Sequence, residues 1–230
     1  MSAEPSDLSY QTLRRLLEER YSCRAFLPRQ VDTATITRIL ETAQRTPSWC
    51  NSQPWNVVIT RGAGTERFRE AILEHAPGRT PEPDFAFPRE YRGVYLARRR
   101  KCGFQLYDSV GIARGDREAA ARQALENFRL FGAPHAMIVS TDAALGVYGV
   151  LDCGAWVNNF MLAARSLGVA SIAQAALAAQ PEFVRAYFGL PPDRLIVCGM
   201  SFGYEDGAHP VNRFRTSRAA VEEALTWADE

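Results

Sequence analysis

Residues Thr46–Trp55 read "TPSWCNSQPW", set between an amphipathic stretch and the apolar run "NVVIT". A turn has a use for Pro, Ser and Asn, but none for two tryptophans, and a core has no use for the amides. Upstream, "DTATITRILETAQRT" carries Ile36, Ile39, Leu40 and Ala43 on one face. That spacing predicts a helix capped by Asp32 and stopped before Pro47. Downstream, "WNVVITR" is short and β-branched, which predicts a strand. The loop between them therefore carries more chemistry than a chain reversal requires.

Working outward, "DLSYQTLRRLLEERY" has Leu8, Leu13, Leu16 and Leu17 at helical spacing, and "GTERFREAILEHA" reads as a helix after the strand. Residues 77–88, "PGRTPEPDFAFP", hold four prolines and little periodicity, a surface excursion. Residues 89–112 and 116–132 read as two helical stretches. "APHAMIVSTD" and "RLIVCGMSFGY" read as buried strands, and "ASIAQAAL" as a strand and turn. "GVLDCGAWVNNFMLAARSLGV" is apolar nearly all round, a central helix packed on several sides. "QPEFVRAYFGL" is a helix ended by Gly189, and the tail from Glu205 closes with a short amphipathic segment. Strands and helices mix without regular βα alternation, so the expected class is α+β, with helices covering a mixed sheet.

Composition narrows the function. The chain has 230 residues, 47% hydrophobic and 23% charged, with a net charge of +1, so no global field draws it to nucleic acid. No apolar run reaches the length of a membrane span. The opening "MSAEPSDLSYQTL" lacks a basic-then-apolar signal pattern. The five cysteines (Cys23, Cys50, Cys102, Cys153 and Cys198) form no CxxC pair, which predicts reduced thiols in a cytoplasm. GxSxG, P-loop, HExxH and GxGxxG motifs are absent. His75, His135 and His209 are scattered, and His135, at a strand start, reads as a packed or capping side chain. If the protein is an enzyme, a bound cofactor supplies the reactive atom.

The positive signal lies in "RYSCRAF", where Arg20, Ser22 and Arg24 alternate and so share a face in extended backbone. Two guanidiniums and a hydroxyl suit a phosphate or an electron-rich heterocycle; a solvated basic loop is the plainer alternative. Together, "RYSCRAF" and "TPSWCNSQPW" resemble the R-x-S-x-R/K-x-F segment and the A/S-P-S-x-x-N-x-Q-P-W loop of the flavin-dependent nitroreductase family. "LDCGAWVNNFMLAARSLGVASIAQAAL" and "GMSFGYEDGAHPVNRFRTSR" resemble that family's central helix with its following turn, and its closing strand with an arginine-bearing tail.

The resemblance implies one domain over residues 1–230, a mostly antiparallel central sheet flanked by helices, and a helical lid around 77–115. It implies one FMN per site, NADH or NADPH as reductant, and a homodimer with sites at the interface and an exchanged C-terminal tail. By match to the family's motifs, Arg20, Ser22 and Arg24 contact phosphate, ribityl and pyrimidine edge, while Pro47, Ser48 and Asn51 come from the other subunit. Gln174, Ala175 and Ala176 form the turn whose backbone faces the flavin. Arg215 and Arg218 bring charge to the phosphate, and Asn127 falls within one residue of a flavin-contacting asparagine. Trp55 is expected to anchor its loop in the core, and Trp49 to wall the cavity or pack at the dimer seam.

The segment holding Phe85, Phe87, Tyr91, Tyr95, Phe104 and Tyr107, interleaved with "ARRRK", is either a solvated helix face or a lid. As a lid, Tyr91, Tyr95, Arg98, Phe104 and Tyr107 would meet a flat acceptor or the nicotinamide phosphates. No side chain is needed as the catalytic acid: hydride passes through flavin N5, supported by Arg24 and the backbone of Ala175 and Ala176. The expected activity is reduction of nitroaromatic or similar electron-poor acceptors. The alternatives are a quinone, enone, free flavin, or halogenated or biosynthetic substrate, or a flavin-binding protein without turnover.

Overall fold

The computed structural model describes residues 5–228. The helices and strands run in the order α1 (Pro5–Glu19), α2 (Thr33–Ala43), β1 (Asn56–Ile59), α3 (Ala63–His75), α4 (Gly93–Ser109), α5 (Arg117–Leu125), β2 (His135–Asp142), α6 (Gly146–Ser166), β3 (Ala170–Gln174), α7 (Pro181–Phe188) and β4 (Arg194–Gly203). The strands form one sheet of order β1-β2-β4-β3, and every strand pair is antiparallel. The mixed character expected of the sheet is reduced, among the described residues, to an isolated parallel bridge between Ser22 and Ser171. That bridge sets the arginine-bearing segment beside β3.

β2 shows why the sheet needs cover on both faces. Alternate side chains point to opposite sides of a strand. Met137 and Val139 enter a core with α2 and α6 (Ile39, Trp156, Phe160), while Ala136 and Ile138 enter a second core with α3 and α7 (Phe68, Ile72, Val184). A strand buried on both faces reads as a continuous apolar run rather than an alternating one. Asp32 caps α2 by accepting the Thr35 N–H at 2.8 Å, and Gly189 ends α7 in the left-handed conformation at φ 64°.

Two elements differ from the sequence reading. The helix expected across 116–132 stops at Leu125, and Leu130 and Phe131 take left-handed backbone, φ 56° and 53°. This double reversal sends Leu130 into the core beneath α3 and Phe131 into a separate cluster with Cys23, Phe26 and Ile172; a continued helix could not serve both. The central helix α6 is packed on one side only. Cys153, Trp156 and Phe160 are buried, whereas Val147 and Leu151 are 74% and 65% exposed. The amphipathic end of the tail forms a single 3₁₀ turn, Val221–Glu223. Up to that turn the tail lies along α4 of its own chain.

Candidate active site

A cavity of about 630 Å³ opens between the C-terminal half of α1, the segment 20–24 and the tail. Its lining includes Arg20, Ser22, Arg24, Arg215 and Arg218, so five of the residues singled out in the sequence meet at one place. None of these four arginines forms an ion pair with a carboxylate among the described residues; the nearby Glu18 is taken by Arg14 at 2.8 Å. Arg20 Nε is buried without a hydrogen-bond partner. Burial, and then the charge of Arg218, lower the pKa of Arg20; burial lowers that of Arg24. The Arg20 guanidinium, partly desolvated and under the charge of Arg218 without a carboxylate partner among the described residues, is in the electrostatic condition that an anion relieves.

The segment is held in place by the tail. Asn212 is buried; its Oδ1 accepts the Arg24 N–H at 2.8 Å, and its Nδ2 donates to the carbonyls of Ala25 and Asp206. Arg215 stacks over the Tyr21 ring at 3.5 Å, and Tyr21 donates its hydroxyl to Glu205 at 2.7 Å. Burial, reinforced by Glu205, pushes the Tyr21 phenol well above its ordinary range. Neither Tyr21 nor Asn212 was singled out in the sequence. The alternation argument assigned Tyr21 to the opposite face from Arg20, and a lone asparagine ahead of an arginine-bearing tail carries no spacing signal.

Arg24 also lines a second cavity, of about 380 Å³, with Tyr107, Asn127, Phe131, Ile172 and residues 173–176. Its floor is the 3₁₀ turn Ala175–Ala178, whose opening N–H groups have no acceptor within the turn. The turn sits close on β4 because Gly199 has no side chain. A Cβ there would fall 2.5 Å from Leu177. The Gln174 side chain points inward. Its Oε1 accepts from Ser201 and its Nε2 donates to the Asn127 carbonyl at 2.9 Å, so it fastens the turn to the Asn127 segment, and only the backbone there is left for a ligand.

The remaining expected residues lie elsewhere. Pro47 and Ser48 line a separate cavity of about 740 Å³ on the bare face of α6, with Leu151, Asp152 and Ala155. Trp49 packs on Tyr148 at 4.4 Å, and its N–H donates to Asp152 Oδ2 at 3.0 Å. Cys50, Asn51 and Gln53 all have left-handed backbone, φ 48–57°, a conformation held at some cost outside glycine. Trp55 anchors the loop as expected, bonded to Gln44 at 2.9 Å and stacked on Trp156. Of the lid aromatics, Tyr107 reaches the second cavity; Tyr91, Tyr95 and Phe104 are exposed and line neither it nor the arginine cavity. Arg98 is drawn away by Glu223 at 2.9 Å, and the guanidiniums of Arg99 and Arg114 lie over Tyr91 and Phe104. A helix period fixes which residues share a face, not which neighbour takes that face.

His135 is a structural histidine: its Nε2 accepts the Val31 N–H, its Nδ1 lies 3.0 Å from the Thr60 carbonyl, and its ring stacks on Phe202. No cluster of metal-ligating side chains occurs among the described residues, and no helix there is long and apolar enough to cross a membrane.

Arg24 lines both the cationic cavity and the smaller one bounded by the Ala175–Ala176 backbone, so the two lie side by side. The chain matches the Nitroreductase family over residues 17–204, and it belongs to that family. It is 36% identical to the nitroreductase NfnB of Mycolicibacterium smegmatis, over 95% of this chain and 93% of that protein. The crystal structure of the FMN-dependent nitroreductase NfnB from Mycobacterium smegmatis in complex with NADPH superposes with a TM-score of 0.90 at 33% identity, covering 96% of this chain and 99% of that one. A 4-nitrobenzoate reductase of Nocardioides is 31% identical over 94% of this chain and 90% of that protein.

Proposed function

We propose that this chain is an FMN-dependent NAD(P)H oxidoreductase that reduces nitroarenes, and that it works as a homodimer in the cytoplasm. The observation that carries this is the set of arginines without carboxylate partners, Arg20, Arg24, Arg215 and Arg218, beside a cavity floored by the Ala175–Ala176 backbone. The residues fit FMN: a buried unpartnered Arg20 Nε and the nearby Arg218 guanidinium for its phosphate, and a narrower chamber for its ring. FMN held there would supply the hydride chemistry, accepting it from the nicotinamide and delivering reducing equivalents to the acceptor.

The protein's own part is positioning and electrostatics. Arg20 and Arg218 neutralise the phosphate. Arg24, fixed by Asn212, sets a positive charge beside the ring chamber, where electron density on the pyrimidine edge is favoured. The N–H groups of the Ala175–Ala176 turn offer donors without proton transfer, and Tyr107 and Asn127 bound the space left for the acceptor.

The dimer is supported by the bare stripe on α6 and by the loop 47–51 beside it. That loop lies at a different cavity from Arg20, so a site using Asn51 must take it from the partner. Leu225 and Trp227, beyond the turn held on α4, are exposed and available for exchange onto the second subunit. The five thiols are unpaired, as a reducing compartment requires.

Steady-state kinetics test the activity. With NADPH and nitrobenzene varied together, the account expects parallel reciprocal plots, because reductant and acceptor use the same chamber in turn. Flavin binding without turnover would instead define a carrier.

A further inference from the structure

The basic face of α4 has a use other than the acceptor. Arg98, Lys101 and Gln105 are three and four residues apart, so they share one helix face, and all three reach the tail. Arg98 pairs with Glu223 at 2.9 Å, Lys101 Nζ donates to Ser217 Oγ at 3.1 Å, and Gln105 Nε2 donates to the Arg215 carbonyl at 3.2 Å. The tail meets them in reverse order, as an antiparallel strap would. Between Arg213 and Ala220 the tail has no regular structure, yet it carries Arg215 and Arg218 into the arginine cavity. Cys102, on the same side of α4, lines that cavity too.

We propose that Lys101 and Gln105 of α4, with Ser217 of the tail, form a latch that positions Arg215 and Arg218 for the cofactor phosphate. They are positioning residues, acting through the two arginines rather than on the flavin. Each contact is exposed or half-exposed, and single exposed contacts add little to stability. Their effect is instead to hold an irregular segment in register, so that two long side chains are ordered before the phosphate arrives. The latch also joins the phosphate end to the ring end, because Tyr107 stands two residues beyond Gln105 on the same helix.

The inference rests on the FMN reading, and the test separates the two. Ser217→Ala and Gln105→Leu leave the charge unchanged, so neither alters the phosphate's field directly. The flavin-stripped full-length chain is titrated with FMN and with riboflavin, which lacks the phosphate, and Arg218→Ala is measured alongside. The latch predicts that the double variant weakens FMN about 10-fold, the scale of ordering two rotamer-rich side chains. Riboflavin affinity stays unchanged, and Ser217→Thr, which keeps the hydroxyl, stays near wild type. An equal loss for both flavins would make the contacts merely structural, and no loss for either would make them idle; each result overturns the latch. If the double variant is silent while Arg218→Ala lowers the preference for FMN over riboflavin, only the latch falls. If Arg218→Ala leaves that preference unchanged, Arg218 does not read the phosphate and the latch falls; if Arg20→Ala leaves it unchanged as well, the phosphate is not read in this cavity and the FMN placement falls too.

Discussion

Gly199→Ala adds one methyl group at the closest approach in the site. Gly199 pairs with Ile138 on one side and Gln174 on the other. Its new Cβ would meet Leu177 Cβ and Cδ1 at 2.5 Å and Cγ at 2.9 Å. Carbon atoms rest at about 3.5–4.0 Å, so Leu177 must retreat by about 1 Å. Leu177 is fully buried in the core cluster of Phe68, Ile72 and Val184, so it must retreat into packed side chains. Overpacking of this kind costs about 1–3 kcal/mol. At about 2–4 °C per kcal/mol for a chain of this size, the melting temperature should fall by about 2–12 °C. Because Leu177 belongs to the turn Ala175–Ala178, the N–H donors proposed for the flavin move with it, and a misplacement of about 1 Å can cost on the order of 100-fold in rate. Thermal unfolding and turnover are measured on Gly199→Ala, Leu177→Ala and the double variant. Leu177→Ala alone should cost about 2–5 kcal/mol. The double variant should be more stable than the sum of the two predicts, with a coupling above about 0.5 kcal/mol. A Gly199→Ala protein with wild-type melting and turnover, or strictly additive effects, would refute the reasoning.

Arg20→Ala removes a half-buried charge that has no carboxylate partner among the described residues; FMN affinity should drop by about 10- to 150-fold, equivalent to about 1.5–3 kcal/mol, with little change in folding. Unchanged affinity in a flavin titration would return Arg20 to the solvent-facing class. His135 is kept neutral by burial, with its pKa below the ordinary value. Below about pH 6.5 the unfolded chain therefore binds a proton that the folded chain refuses, and stability falls as pH drops toward the folded pKa. Urea unfolding from pH 7 to 5 should show this slope in the wild type and lose part of it in His135→Gln; identical slopes would contradict the assignment. Asp152→Ala frees the Trp49 N–H and with it the strained loop at Cys50–Gln53, so dimer affinity and FMN retention should both decline. Asp152→Asn, which keeps an acceptor, should lie between Asp152→Ala and the wild type in analytical ultracentrifugation, and an Ala variant indistinguishable from wild type would sink the anchoring role.

The arginine cavity was legible only in part: alternation set Arg20, Ser22 and Arg24 on one face, a pattern that a solvated loop shares, and the family resemblance added Arg215 and Arg218, while Tyr21 between them lines the same cavity. The strands were legible for a related reason, since β2 is covered on both faces and its apolar run is unbroken. What escaped was set by partners remote in sequence. Asn212 orders Arg24 across 188 residues, a pairing with no local trace. Leu130 and Phe131 leave the helical conformation because two separate cores claim them, and local periodicity cannot register competing tertiary demands. The lid aromatics formed a plausible face, but Arg99, Arg114 and solvent, rather than the ring chamber, receive three of them. The bare side of α6 looked like core in composition; within one chain Val147 and Leu151 are surface.

The central claim is that the two cavities lined by Arg24 hold a flavin that exchanges electrons with a nicotinamide and a nitroarene. Anaerobic absorption spectroscopy of the purified protein tests it most directly. The account predicts about one FMN per subunit, bleached by NADPH or NADH and restored to its oxidised spectrum by a stoichiometric nitroarene without oxygen. A colourless protein that gains neither FMN nor stability when FMN is supplied, or a bound flavin that no nicotinamide reduces, would contradict it.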